Sequence, residues 1–178
     1  MEWLLFTYWL PPEPSRKRVY VWRQLKKMGA LSVEGTGWFL PKSAPSSSAI
    51  TDLKRTVEEL EGTANLFTVT DFGADQQQRT IAKFQAERER EYSEIMNECR
   101  KVLKHIEREY REQEFTSEEV EELEGDLEKI NRWLAEAKRR DFWESAARKE
   151  VEKLMGEVEA SLAAFTQKAY EEEQKKRS

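Results

Sequence analysis

Between Arg16 and Lys27 the segment RKRVYVWRQLKK places six basic residues in twelve positions with no acid among them. Ammonium and guanidinium groups at that density can contact about three to six phosphates of a nucleic-acid backbone, and Tyr20 and Trp22 are interleaved with them. At 100° per residue, Arg16, Tyr20, Arg23 and Lys27 fall on one side of a helix, opposite Val21, Trp22, Leu25 and Met28. The candidate phosphate contacts are Arg16, Lys17, Arg23, Lys26 and Lys27. Arg18 falls toward the apolar side, where an ion pair at the core edge would account for it. The same residues also read as a solvated helix face that needs no ligand.

A second basic group, Arg139 and Arg140, lies beside Asp141 and just after Arg132 and Trp133. Paired guanidinium donors can hold an oxyanion, and charges at a helix end need no ligand at all. Cys99 lies on an apolar seam, as a structural thiol would. His105, the one histidine, is six residues from it, a spacing that does not put both on one helical face. That pair gives no metal site. Glycine-rich phosphate loops and Ser/His/Asp constellations are missing, and acid pairs such as Glu118-Glu119 and Glu121-Glu122 read as solvated faces. The expectation is a protein that is not an enzyme and needs no cofactor or metal.

The elements that must position these residues divide the 178-residue chain in two. All five prolines and five of the seven glycines precede Ala74, and the remainder of the chain is dominated by Glu, Lys, Arg, Ala and Leu, the composition of long helices. The expected domains are 1–73, an α/β unit, and 74–178, a helical unit. The run WLLFTYWL ends at Pro11-Pro12 and carries its positive charge after the apolar stretch, which suits neither an export signal nor a membrane span. Its β-branched and aromatic residues predict a core strand. Ser15 is then placed to cap a helix that Gly29 stops. Ala30 to Val33 and Trp38 to Leu40 read as a hairpin about Glu34-Gly35-Thr36-Gly37, Lys42 to Ser48 as a polar loop, Ile50 to Leu60 as a second amphipathic helix, and Leu66 to Thr70 as a fourth strand. The order β-α-β-β-α-β is the split pattern of ferredoxin-like domains, so the fold class is α+β.

Three helices are predicted beyond, over about 76–112, 117–139 and 141–172. Thr116 with Glu119 makes a capping box, and Phe115 with Val120 a hydrophobic staple. Asp141 with Glu144 repeats the cap-plus-acid spacing. Each helix carries a narrow apolar seam, so a hairpin, a three-helix bundle or a homodimer would cover them. The lone Cys99 excludes a disulfide framework and suits the reducing cytoplasm. A net charge of −5 gives no global attraction to DNA, so binding has to come from a local patch.

Trp3-Leu4-Leu5, the stretch RVYVWRQLKKMGA from Arg18 to Ala30, and Gly37-Trp38-Phe39-Leu40-Pro41 resemble the start of ChrB-type proteins of bacterial chromate-resistance operons. Phe115-Thr116, Asp126-Leu127-Glu128-Lys129-Ile130, Trp133-Leu134 and Arg139-Arg140-Asp141-Phe142 resemble the same N-terminal region. The resemblance implies a cytoplasmic DNA-binding transcriptional regulator, with chromate as the effector it brings into question, since full-length proteins of that type carry a further domain associated with the chromate response. The alternative is a non-catalytic scaffold that presents its helices to another protein. The α/β part also resembles PaaX-type repressors and small CRISPR spacer-acquisition nucleases. The latter end their first strand in aspartate; Thr7, Tyr8 and Trp9 stand there, which removes the metal ligand of a nuclease.

Overall fold

The computed structural model describes residues 1–33 and 37–177. Its elements run β1 (Trp3–Trp9), α1 (Ser15–Lys27), β2 (Leu31–Val33), β3 (Gly37–Pro41), α2 (Ala44–Glu59), β4 (Thr63–Val69), α3 (Ala74–Glu112), α4 (Ser117–Arg139) and α5 (Ala147–Arg177). The class is α+β, and among the described residues no strand follows Ala74. The chain divides into two compact units, Met1–Ala86 with Arg139–Phe142, and Glu87–Lys138 with everything from Trp143 onward. The division falls within α3, beyond Gly73.

In the first unit the strands are ordered β2-β3-β1-β4, each pair antiparallel. The apolar opening run is thus a central strand. Leu4 and Phe6 point to the face covered by α1 and α2, where they pack with Val21, Leu25, Leu40, Ile50, Leu53 and Val57. Trp3 points the other way and is fully buried. Its ring lies 5.6 Å from Phe72 and 5.9 Å from Phe84, and its indole N–H donates to Gln77 Oε1 at 3.3 Å. Both faces are therefore covered at the start of β1, while Trp9 at its far end is exposed. Each large apolar side chain so buried contributes about 1.5–3 kcal/mol.

Several boundaries depart from the sequence reading. Pro14, not Ser15, is the residue preceding α1, and no side chain caps the helix. Trp22 is 47% exposed, because it sits at the edge of the apolar arc. Arg18 is exposed as well. The expected polar loop over Lys42 to Ser48 is mostly helix: Ser43 caps α2 by accepting from Ser46 N, while Ser43 N donates to Ser46 Oγ at 2.9 Å. β4 begins at Thr63. The turn expected over Glu34-Gly35-Thr36-Gly37 lies largely outside the described residues.

In the second unit the seams of the three helices cover one another. Ile95, Cys99, Val102 and Ile106 of α3, Leu123, Ile130 and Leu134 of α4, and Val151, Met155, Val158, Leu162 and Phe165 of α5 form one buried cluster. A second copy of the chain is not needed to bury them. Arg88 occupies a place in the seam and is paired with Glu87 and Glu91, and Glu91 also accepts the Trp133 indole N–H at 3.1 Å. The third helix begins at Ala147 and not at Asp141. Glu144 is left-handed (φ 50°) and Ser145 caps the helix by accepting from Ala147 N, while Phe142 packs against Phe84 in the first unit. The helix also extends past 172, to Arg177, with Glu172 held between Lys168 and Lys175.

Candidate nucleic-acid interface

The outward face of α1 gathers most of the predicted basic residues. Arg16, Arg23 and Lys27 are exposed along the i, i+7, i+11 stripe, with Tyr20 between them, and Lys26 and Arg18 flank it, also exposed. Burial of Val21 and Leu25 fixes the helix against the sheet and so fixes which side faces out. Beside the stripe, a groove of about 780 Å³ between α1 and α2 is lined by Arg16, Val19, Tyr20 and Arg23 together with Thr56 and Leu60.

Two predicted contacts are partly engaged elsewhere. Lys17 Nζ donates to the Leu60 carbonyl at 3.2 Å and to Glu61 Oε2 at 3.1 Å, at the end of α2. Lys26 Nζ stands 5.8 Å from the centre of the Trp38 ring, a cation–π distance.

The first turn of α1 runs against ordinary helix electrostatics. It holds no acid and no side-chain cap, and Arg16, Lys17 and Arg18 sit at its positive end. Each cation so placed costs about 0.3–1 kcal/mol near a helix N-terminus, whereas an anion there is favoured. A phosphate beside this turn would meet the positive helix end and the basic side chains together, a favourable term that offsets that cost. Arg18 also lies near Tyr8, whose hydroxyl burial pushes up in pKa and the Arg18 charge draws down.

The other predicted residues are dispersed. Arg139, the last residue of α4, is exposed, whereas Arg140 is half-buried with its Cβ and Cγ over Gly29. Cys99 is buried with its Sγ 3.3 Å from Met155 Sδ, and burial pushes its thiol pKa up.

The sequence reading missed one cluster. His105 Nε2 lies 3.3 Å from Glu109 Oε1 and 3.1 Å from Glu119 Oε2. Glu109 is almost wholly buried, and its Oε1 also accepts from Arg108 Nε at 2.8 Å. The signal was the i, i+4 spacing of His105 and Glu109. Testing His105 only against Cys99 passed over it, and Glu119 counted only as half of a capping box. Thr116 Oγ1 does accept from Glu119 N, at 3.3 Å, while the Glu119 carboxylate turns to His105.

Among the described residues no helix is long and apolar enough to cross a membrane. The family model described as "Protein ChrB, N-terminal" matches residues 18–176. No curated protein and no solved structure matches the chain.

Proposed function

Because the chain belongs to the ChrB N-terminal family, we propose that it is a regulatory module associated with chromate resistance that docks on DNA through the outward face of α1. The observation that carries the reading is the acid-free α1, whose Arg16, Arg23 and Lys27 stand exposed in one stripe at and beyond a first turn left without a side-chain cap. In a chain of net charge −5 this is where a polyanion can be held. Its contacts would be to backbone phosphates, which set register and affinity, and sequence preference would come from neighbouring groups such as Tyr20 and Trp22.

Anisotropy titrations at low salt with labelled duplex from the region upstream of the protein's own gene, and with a scrambled duplex of equal length, test the reading. Binding to both, tighter to the upstream duplex, is expected. No binding to either would replace it with the scaffold reading, in which the three-helix unit is the working surface.

A further inference from the structure

We propose that His105, Glu109 and Glu119 form a site for one first-row divalent cation of the zinc type, tying the last turns of α3 to the first turn of α4. His105 and Glu109 are one turn apart on α3, and Glu119 enters from α4 after a short connection at Gln113 to Thr116. One ligand atom from each of the three lies within 4.8 Å of the other two. An imidazole nitrogen with two carboxylates is a donor set that suits such ions.

Two observations point to a cation. Nε2 stands 3.3 Å from Glu109 Oε1, just beyond the roughly 2.7–3.2 Å of an ordinary N–H···O hydrogen bond, and 3.1 Å from Glu119 Oε2, within it. Both distances match the separation of about 3.3 Å between ligands each some 2.0–2.1 Å from a tetrahedral zinc ion. Independently, the Glu109 side chain is 1% exposed and its Oε2 has no hydrogen-bond partner. A buried carboxylate oxygen left in that condition is costly, and a bound cation would satisfy it.

The surrounding charge agrees. Arg108 also holds Glu109 Oε1, the same oxygen that faces His105, at 2.6 Å, the kind of outer contact that orients a ligating carboxylate. Glu112 and Glu114 also bring carboxylate oxygens within 4.8 Å of Glu109. Two carboxylates thus face the imidazole, and two more stand beside Glu109. Three protein ligands leave a fourth position for water.

Equilibrium dialysis of the chelator-treated full chain against Zn²⁺ tests the site, with thermal melts alongside. One Zn²⁺ per chain is expected, together with a raised melting temperature. His105→Gln and Glu119→Gln should each weaken binding about tenfold or more, while Glu118→Gln, a neighbouring exposed carboxylate on the same turn, should leave it unchanged. Glu119 is only partly buried, so its variant reports on the site even where His105→Gln fails to fold. Absence of Zn²⁺ binding by the unaltered chain, or equal affinity in Glu119→Gln and Glu118→Gln, would overturn the proposal and leave an imidazole bridging two carboxylates.

Discussion

Three side chains show how environment rather than residue type decides behaviour. Cys99 is enclosed among the seams of three helices, and burial holds its thiol in the protonated, unreactive form. Ellman's reagent should therefore fail to modify it in the native protein and react promptly in denaturant; equal rates in both would contradict its enclosure. Arg88 lies in the same seam, 9% exposed, with Glu87 and Glu91 as partners. Removing one member of such a pair strands the other, so Arg88→Ala should lower unfolding free energy by about 3 kcal/mol. Arg90→Ala, whose pair with Glu94 is exposed, should change it by less than about 0.5 kcal/mol in denaturant titrations. Glu172 is the pH-sensitive case. Hydrogen bonds from Lys168 and then Lys175 bring its pKa from the usual 4.5 down to about 2. A depressed carboxylate contributes stability above its unfolded pKa and loses it as pH falls through the folded one, here between 4.5 and about 2. An NMR titration of its carboxyl carbon should show a midpoint well below 4.5, and a midpoint at 4.5 would mean that the two lysine contacts do not persist in solution.

At the scale of elements, what was legible came from period and position. The continuous apolar run of β1, the exposed stripe of α1 and the seams of α3 to α5 are all set by which residues must leave water, and the placing of apolar residues records that directly. The start of α2 was not legible in the same way. A Ser-Ala-Pro-Ser string has the composition of a loop, and only the reciprocal bonds between Ser43 and Ser46 show that it is a cap. Asp141 with Glu144 misled in the opposite direction: the spacing of a cap was present, but Phe142 is held by Phe84, and Ser145 starts the helix instead. The stop of α1 depends on a feature that composition only hinted at. Gly29 has φ +76°, and a methyl group there would stand 2.9 Å from Arg140 Cβ. Gly29→Ala should cost about 1–3 kcal/mol by thermal or chemical unfolding; an unchanged midpoint would show that this turn tolerates a side chain.

For the whole molecule, charge is divided so that a chain of net −5 still presents one acid-free helix face. On the proposed DNA-docking role, long-range attraction would be weak and contact local, so that affinity would depend on a few side chains. Lys17, bonded to the end of α2, and Lys26, beside the Trp38 ring, are set aside from that set; Arg16, Arg23 and Lys27 remain. Each phosphate they neutralise should contribute about −0.9 to the slope of log affinity against log salt. The decisive measurement is this slope for the unaltered chain and for the variant carrying Arg16→Ala, Arg23→Ala and Lys27→Ala, with Arg90→Ala, Lys101→Ala and Lys129→Ala combined as a control that removes the same charge from exposed positions on the helical unit. The α1 variant should have a slope shallower by about two to three while the control keeps that of the unaltered chain. An unchanged slope in the α1 variant, or an equal loss in the control, would contradict the assignment of α1 as the DNA-docking face.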